Sequence, residues 1–507
     1  MSLPGLGLDE PEEVHTAETS QHDLAKDNEW RFEVAVGKYI QLKLLRGTAE
    51  LFGTELVIGN TYTFTATKAA IYTWHGCSFE VRGDALQSEY IAEETPMSEY
   101  INVHFALETL RDQAKAHGRQ GPRVLILGPD NAGKSSLAKI LTGYSNRSSR
   151  SPLVLNLDVK EGVMSIPGTF TATVFKTLMD IEEGWGTAPM SGPNGAIPVK
   201  LPLVYFYGSP RPEEKEGKVY KAQIRRLALA ISGRLANDAE TRESGLIIDT
   251  PGSLTSSKTG QVGYDIIQDI VSEFAVSTII CLGSERLYSD MVKRFDRQPT
   301  VSRSTTAGHA ETISVIKLTK SGGCVDRDEA YMQAFRAAQI KAYFYGNPRL
   351  SNGISLQPRQ QQVDFSTLTV WRRISSTPDP SSSASVGASF DDEDEETFLP
   401  GGMTDDASGT YPGGSSSKVA LPASQIYERV SAPYAAMRNA ILAVMNCEAE
   451  AEQETIRDSS VMGFLYVTDT DEARGRISLL SPVAGRVPAR AIVWAGWPEP
   501  VLGIDRS

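Results

Sequence analysis

A glycine-rich turn followed by Lys-Ser has the residue types and spacing of a phosphate-binding loop. Gly128 and Gly133 bracket four residues, and a lysine and a serine follow, which matches the pattern G-x-x-x-x-G-K-[ST]. The glycines let the backbone turn tightly, so that successive N–H groups face phosphate oxygens. The lysine can reach the β- and γ-phosphates, and the serine hydroxyl can bind Mg²⁺. The pattern predicts nucleotide contacts from Gly128, Asn131, Ala132, Gly133, Lys134, Ser135 and Ser136.

Both flanks of this loop carry the elements that a phosphate loop requires. The apolar run at residues 124–127 predicts a buried parallel strand. After the loop, Leu137, Ile140 and Leu141 recur at helical spacing, so a helix N-terminus would face the phosphates. A chance match in a glycine-rich turn is the alternative, and the two flanks argue against it.

Two aspartates follow apolar runs that predict strands. Asp158 ends the stretch LVLNLD, and Asp249 follows LII. The carboxyl ends of parallel strands border the crevice in which such sheets bind ligands. Asp249 resembles the aspartate that accompanies phosphate loops, and it can hold Mg²⁺ through water. Capping of a turn is the other common role of a strand-end aspartate.

Composition excludes several classes of function. The 507-residue chain has a formal net charge of −13, which argues against a broad basic surface for bulk nucleic-acid binding. Its four cysteines are scattered without a C-x-x-C pair, which favours a reduced interior without a zinc site. The acidic, polar N-terminus lacks the pattern of a signal peptide. No apolar run approaches about 18 residues, so we expect no membrane-spanning segment.

The N-terminal part of the chain changes from a polar tail to a β pattern. Residues 1–25 have a composition that predicts disorder. Residues 26–100 show short alternating runs such as RFEVAV, YTFTAT and SFEVRG, which predict an all-β sandwich. The segment SEYINVHFALETLRDQAKAHG then has helical spacing, with Leu107 and Leu110 on its predicted apolar side.

Residues 101–350 alternate between apolar runs and longer amphipathic segments. The predicted strands are RVLILG, LVLNLD, PLVYFYG, GLIIDT, STIICLG and ISVIKL. This alternation predicts an α/β domain with a parallel sheet covered by helices. The Gly/Pro-rich stretch EEGWGTAPMSGPNGAIPVK is predicted to be a loop inserted in that domain.

Residues 351–507 contain a low-complexity segment and a smaller folded region. Residues 375–418 are rich in Ser, Gly and Pro around an acidic block, which predicts a disordered insertion. After it, YERVSAPYAAMRNAILAVM is amphipathic and predicts a helix. The runs VMGFLYVTDTD, RISLLSP and ARAIVWAG predict strands.

Blocks in all three regions resemble the Clp family, the eukaryotic group that includes RNA 5′-hydroxyl kinases and the ATP-binding subunit of fungal pre-mRNA cleavage factor IA. The blocks include RFEVAVGKYIQLKLLRGTAELFGTEL, GPRVLILGPDNAGKSS, NLDVKEGVMSIPGT and LLSPVAGRVPARAIVW, in that order. The resemblance implies an N-terminal β-sandwich, a central P-loop domain, a smaller C-terminal α/β domain, and ATP between the first two. It places Glu29 at the adenine and Lys68 at a second N-terminal contact. Without the resemblance, both side chains would be taken as solvated charges.

Transfer of a phosphoryl group to an RNA 5′-hydroxyl needs four features. These are bound ATP and Mg²⁺, a carboxylate beside the hydroxyl, cations on the phosphoryl group and a grip on the acceptor. The resemblance assigns the catalytic carboxylate to Asp158. Active members follow this aspartate with Gly-Gln-Gly, whereas Lys160 and Glu161 replace the Gly and the Gln here. Glu161 adds negative charge near the γ-phosphate, which would oppose transfer.

Active family members also have an arginine lid and a tryptophan that stacks on the terminal base. A lid with two arginines follows an ERLY-like motif, and Arg294 and Arg297 are the candidates here. A basic helix face is otherwise simply solvated. Active members also stack the terminal base on a tryptophan after the second aspartate, where this chain has Ser253. A base–aromatic stack contributes about 1–3 kcal/mol, which serine cannot supply.

These features favour an ATP-binding, non-catalytic subunit of the nuclear machinery for pre-mRNA 3′-end cleavage and polyadenylation. The alternative is an active polynucleotide 5′-hydroxyl kinase. A P-loop GTPase or a generic ATPase is a third possibility. The stretch DTPG, which begins at Asp249, is similar to a GTPase switch motif. The sequence has no Asn-Lys-x-Asp element to read the base, however. The resemblance implies partners among the cleavage factor IA subunits, above all the subunit that binds the RNA polymerase II tail. RNA is expected to be contacted indirectly or weakly.

Overall fold

A computed structural model describes residues 19–83, 86–185, 201–300, 311–350, 353, 355–375 and 425–504. Residues 1–18, nearly all of the predicted insertion at 375–418, and most of the predicted Gly/Pro-rich loop lie outside the described residues. No helix in the described ranges is long and apolar enough to cross a membrane.

The N-terminal region is a sandwich of two antiparallel sheets, as predicted. One sheet has the strand order β1-β8-β3-β6 and the other β5-β4-β7-β2-β9. The strands are β1 Thr19–Leu24, β2 Glu29–Val34, β3 Ile40–Gly47, β4 Glu50–Leu51, β5 Thr54–Glu55, β6 Thr61–Phe64, β7 Lys68–Tyr72, β8 Cys77–Arg82 and β9 Leu86–Ala92. Aromatic side chains fill the core, in which Trp30 and Phe32 stack with ring centroids 4.5 Å apart.

The first strand lies inside the tail that the composition predicts to be disordered. Only Leu24 of β1 is buried, and the other side chains are polar and largely exposed. The strand is held by antiparallel backbone pairing with β8 over its whole length. Backbone hydrogen bonds therefore decide its conformation, and a composition argument does not detect them.

A long helix, α1 Met97–His117, connects the sandwich to the central domain. Leu107 is buried as predicted, but Leu110 is 40% exposed. Arg111 occupies the inward-facing position instead, where its guanidinium donates to Ser244 O at 2.9 Å and pairs with Glu108. A buried arginine can satisfy its donors in this way, which hydrophobic periodicity alone does not reveal.

The central domain is a seven-stranded sheet with the order β13-β12-β11-β14-β10-β15-β16. Its strands are β10 Arg123–Leu127, β11 Leu153–Asn156, β12 Thr169–Val174, β13 Leu203–Phe206, β14 Leu246–Asp249, β15 Thr278–Leu282 and β16 Ser314–Leu318. Its helices are α2 Lys134–Arg147, α3 Lys218–Asn237, α4 Ala239–Ser244, α5 Gly260–Glu273, α6 Glu285–Phe295 and α7 Glu329–Tyr345. All six predicted strands are present.

The sheet is parallel over five strands, as predicted, and antiparallel at one edge. Strands β11, β14, β10, β15 and β16 are parallel, but β12 pairs antiparallel with both β11 and β13. No helix lies between β11 and β12 in the described chain. Parallel neighbours need a crossover connection, usually a helix, so the chain returns as an antiparallel strand here.

The C-terminal domain is a mostly antiparallel sheet with the order β17-β22-β21-β20-β23-β18-β19. Its elements are β17 Arg359–Asp364, β18 Thr369–Arg373, β19 Tyr427–Val430, β20 Ile441–Glu448, α8 Gln453–Asp458, β21 Val461–Asp471, β22 Arg476–Ser481 and β23 Arg490–Trp494. Helix α7 packs Ile340, Tyr343 and Phe344 into one face of this sheet.

The helix predicted for YERVSAPYAAMRNAILAVM is wrong. This stretch forms β19, a short 3₁₀ turn at Ala435–Met437, and β20. Ile441 and Met445 belong to one hydrophobic core, while Leu442 and Val444 belong to the core on the opposite face. A strand covered on both faces has a continuous apolar run, which resembles a buried helix segment in sequence.

Candidate functional site

A cavity of about 1160 Å³ lies where the sandwich, the phosphate loop and helix α7 meet. The phosphate loop contributes Asp130, Asn131, Gly133, Lys134, Ser135 and Ser136 to its wall. The sandwich contributes Glu29, Arg31 and Lys68, and the segment after β11 contributes Asp158 and Glu161. The structure therefore brings residues from distant parts of the chain to one site.

The phosphate loop has the backbone geometry that its sequence predicts. Gly133 has φ +90° and immediately precedes α2, and Asn131 has φ +56°. A Cβ at Gly128 would lie 2.8 Å from Leu282 O, so only glycine fits there without a shift. Gly128 and Ala132, which are also predicted to contact the nucleotide, do not line the cavity. The Lys134 ammonium donates to Pro129 O at 2.8 Å, within the loop itself.

Ser135 and Asp249, the two candidate Mg²⁺ contacts, meet at the end of β14. The Ser135 hydroxyl donates to Asp249 Oδ2 in a short hydrogen bond. Burial raises the pKa of Asp249 to about 6, and the nearby Lys134 partly offsets this rise. A hydroxyl and a carboxylate that meet at a helix N-terminus fit Mg²⁺, which prefers oxygen ligands and retains several waters.

Asp158 lies at the cavity wall, next to the substituted residues. Its Oδ1 accepts a hydrogen bond from Lys160 N at 2.9 Å, so it does cap a turn. Burial raises the pKa of Asp158 well above its usual range, and the negative charge of Glu161 raises it further. The Lys160 ammonium lies 3.6 Å from Asp130 Oδ2 of the phosphate loop. A carboxyl group with a raised pKa suits general acid–base catalysis near neutral pH, so only the added charge of Glu161 argues against transfer.

Glu29 and Lys68 both reach the cavity from the sandwich, and each is paired. Glu29 is 4% exposed, forms an ion pair with Arg31 at 2.5 Å, and accepts a hydrogen bond from Thr95. Lys68 pairs with Glu33 at 2.7 Å, and its ammonium lies 4.9 Å from the centre of the Tyr331 ring. These carboxylate and ammonium groups can contact the base and sugar of a nucleotide at the sandwich end of the cavity.

The structure does not bring the two lid candidates to the cavity. The Arg294 guanidinium lies over the Tyr264 ring at 4.3 Å from its centre. The Arg297 side chain is 91% exposed, and its nearest carboxylate, Asp296, is 3.8 Å away. Neither arginine lines the cavity. Ser253 also lies outside the cavity wall, in a 3₁₀ turn at Gly252–Thr255.

Arg327 and Lys139 are among the cations at the cavity that the sequence reasoning does not predict. Arg327 donates to Asn131 Oδ1 at 3.0 Å and to Glu161 at 2.5 Å. Lys139 faces the rings of Phe52 and Trp185 at 5.2 and 6.0 Å. Burial lowers the pKa of Lys139 to about 8. Lys139 follows Ser135 by one helical turn, a spacing that places two residues on the same helix face; Arg327 has no comparable local signal.

Comparisons with known proteins identify the family. Three family models match in order: the N-terminal beta-sandwich domain of polyadenylation factor at residues 23–114, the mRNA cleavage and polyadenylation factor CLP1 P-loop at 128–346, and the pre-mRNA cleavage complex II protein Clp1 at 356–499. The mRNA cleavage and polyadenylation factor clp1 of Aspergillus niger is 50% identical, over 97% of this chain and 98% of that protein. The corresponding factor of Neosartorya fischeri is 48% identical, over 99% and 100%.

The chain belongs to the Clp1 family. Its central region is the P-loop nucleotide-binding domain of that family. Two solved structures of Clp1p with Pcf11p share the fold. One is a wild-type complex, with a TM-score of 0.75, 24% identity, and coverage of 95% of this chain and 98% of that chain. The other concerns ATP loss in a glycine-to-arginine point mutant, with a TM-score of 0.76, 23% identity, and coverage of 95% and 99%.

Proposed function

We propose that this chain is an ATP-binding subunit of the nuclear machinery that cleaves and polyadenylates pre-mRNA, and that it holds ATP without transferring a phosphate. The relatives named as mRNA cleavage and polyadenylation factors support the process. The proposal that no phosphate is transferred rests on a contrast within one cavity. A complete phosphate loop stands beside an Asp158 whose neighbour Glu161 is a second carboxylate.

The shape of the site supports a structural role for ATP and Mg²⁺. The cavity wall combines Glu29 and Lys68 of the sandwich with Lys134 and Ser135 of the P-loop domain. A ligand that contacts both domains binds only the folded arrangement and stabilises it by mass action. Mg²⁺ would be held by Ser135 and, through water, by Asp249, where it would neutralise phosphate charge.

A protein similar to Pcf11p is the proposed partner, since the two solved structures described above pair Clp1p with Pcf11p. The family resemblance implies that this partner is the cleavage factor IA subunit that binds the RNA polymerase II tail. The net charge of −13 favours protein contacts over direct RNA contacts. RNA would then be reached indirectly or weakly.

An active polynucleotide 5′-hydroxyl kinase is the second candidate. It is favoured by one observation, which is that Asp158 and Lys134 line the same cavity, as phosphoryl transfer requires. The expected lid arginines do not line that cavity, and Ser253 replaces the expected stacking tryptophan. We therefore favour ATP binding without transfer.

Two measurements separate these candidates. We expect protein purified without added nucleotide to release close to one intact ATP per chain when it is denatured and the supernatant is chromatographed. We expect no transfer of labelled γ-phosphate to a 5′-hydroxyl RNA above the level of the Asp158→Asn variant. An empty site together with failure to bind added ATP would contradict the binding role. Robust transfer that vanishes in Asp158→Asn would replace it with the kinase.

A further inference from the structure

Arg31 lies beside Glu29 at the sandwich end of the cavity, far from the phosphate loop in sequence. Its side chain is buried, and its Nε and Nη2 each lie 2.5 Å from Glu29 Oε1. Its Nη2 also donates to Glu94 O at 3.1 Å, and its Nη1 donates to Tyr90 Oη at 3.3 Å. The guanidinium is therefore fixed by three partners, one of which is a carboxylate that lines the cavity.

The contacts of Glu29 leave it able to accept a hydrogen bond from a ligand. Arg31 occupies Oε1, and Oε2 accepts from the Thr95 hydroxyl at 3.1 Å. A carboxylate offers about four acceptor sites, so the two contacts from Arg31 and the one from Thr95 leave one for a group in the cavity. An ionised carboxylate only accepts. The fitting ligand group is therefore an N–H donor, such as the amine of a nucleobase.

Two glycines that follow β16 pack against the guanidinium of Arg31. A Cβ at Gly322 would lie 3.0 Å from Arg31 Nη1, and a Cβ at Gly323 would lie 2.9 Å from Arg31 Nε. Neither glycine has a positive φ, so the close approach of the arginine, and not the backbone conformation, restricts these positions to glycine. Gly323 and Cys324 line the cavity. Arg31 thus supports both Glu29 and a second stretch of the cavity wall.

We propose that Arg31 is a positioning residue for base recognition, which holds the Glu29 carboxylate in the orientation that accepts the amine of the nucleotide's base. This inference rests on the proposed ATP-binding function, and it adds a residue that sets the selectivity for the base. The planar fork of a guanidinium fixes the direction of a carboxylate as well as its charge. Without Arg31, Glu29 would be a buried charge that has lost its partner, which is costly, and its side chain could turn away from the base.

The test is calorimetric titration of the nucleotide-free protein with Mg²⁺·ATP and with the Mg²⁺ complex of purine riboside triphosphate, which is ATP without the amine of its base. We expect the parent to prefer ATP by about ten- to a hundredfold, the range for a hydrogen bond to a charged group. In Arg31→Met this preference should fall below about threefold, mainly through a loss of ATP affinity. Arg31→Lys keeps the charge without the fork and should show an intermediate preference. Arg82→Met, which removes an exposed arginine of the sandwich, is the matched control and should keep the parent preference.

Gly323→Ala provides a second test that leaves the charge of Arg31 in place. The added Cβ would displace the guanidinium, so the preference for ATP should fall by about threefold or more. Gly233→Ala is the matched control, because its added Cβ would meet no neighbouring element of the described chain within 4 Å. This control should keep the parent preference.

A purely structural role for Arg31 would lower both affinities by the same factor and keep the parent preference for ATP. That result in Arg31→Met would overturn the proposal. A parent that binds both nucleotides equally would also overturn it, although ATP binding itself would then stand. Gly323→Ala decides by the same ratio if Arg31→Met does not fold. If the parent binds neither nucleotide, the proposed function itself fails.

Discussion

The two sides of the cavity carry similar charged groups but hold them in different ways. On the phosphate side, Lys134 bonds to a carbonyl of its own loop and Ser135 bonds to Asp249. A nucleotide and its metal ion can replace both contacts without disturbing the fold. The Lys134 contact stays within the loop, whereas the Ser135 contact joins positions 114 residues apart. Both groups are of the kind that bind phosphate and Mg²⁺.

On the acceptor side, which we define as residues 158–163, the chain is fixed by distant segments. Gln339 of α7 exchanges two hydrogen bonds with Gly162. The Trp497 indole N–H donates to Val159 O at 3.2 Å. Arg327 pairs with Glu161. The acceptor side is part of the packing between the central and C-terminal domains. It is a structural joint, whereas the phosphate side is a ligand site.

The largest expected effect comes from removing the phosphate-side cation. Lys134→Ala should weaken ATP binding by about a hundredfold or more, because a phosphate-loop lysine is expected to contact two phosphates. Saturating ATP stabilises the parent by about 4 kcal/mol at a thousandfold excess over Kd, and this stabilisation should be lost. Thermal melting with and without ATP measures it. Lys115→Ala, which changes an exposed lysine on α1, is the control. An ATP-dependent rise in melting temperature that survives in Lys134→Ala would show that Lys134 does not bind ATP.

The second effect concerns the metal on the same side. Asp249→Asn keeps an oxygen that accepts from the Ser135 hydroxyl, but it removes the carboxylate that would hold Mg²⁺ through water. We expect ATP affinity in this variant to become nearly independent of Mg²⁺, whereas the parent binds more tightly with it. The measurement is titration with ATP in Mg²⁺ and in a chelator. Full retention of the Mg²⁺ effect would remove Asp249 from the proposed metal site.

The third effect tests Lys139, the half-buried cation between Phe52 and Trp185. Lys139 forms no ion pair within the described part of the chain. Burial lowers its pKa to about 8, an effect that the charges of Glu161 and Asp249 oppose and that of Arg327 reinforces. An anion beside the ammonium would offset its burial. We expect Lys139→Met to weaken ATP binding by about tenfold at pH 7.

The lowered pKa of Lys139 makes its effect on the stability of the protein depend on pH. The folded-state pKa of Lys139 is lowered from its usual 10.5 to about 8, so the unfolded chain binds more protons between these two values. The contribution of Lys139 therefore destabilises the free protein below pH 8 and is relieved as the pH rises toward 10.5. Lys139→Met should melt higher than the parent at pH 7, and the difference should shrink above pH 8. A difference that is constant with pH would exclude this cause.

The sequence predicts the phosphate side well because its signals are local. The phosphate loop, its flanking strand and helix, and Asp249 can all be identified within short windows. Arg327 has no such signal, because its partners Asn131 and Glu161 lie 196 and 166 residues away along the chain. The strand β20 was predicted as a helix because both of its faces are covered, and periodicity cannot separate the two in that case. Local patterns thus reveal the ligand chemistry, whereas tertiary contacts decide the acceptor side.

The smallest expected effect is at the lid candidates Arg294 and Arg297. Arg294 lies over the Tyr264 ring on the surface of α6 and does not line the cavity. An exposed cation–π contact contributes about 0.5–1 kcal/mol to stability, so Arg294→Ala should lower the melting temperature only slightly. It should leave ATP affinity within about twofold of the parent, in contrast to Lys134→Ala. The reason is geometric: a guanidinium engaged at α6 cannot also neutralise phosphate charge at the cavity wall. If Arg294→Ala weakened ATP binding as strongly as Lys134→Ala, α6 would have to close over the nucleotide, and the acceptor side would be a working lid rather than a structural joint.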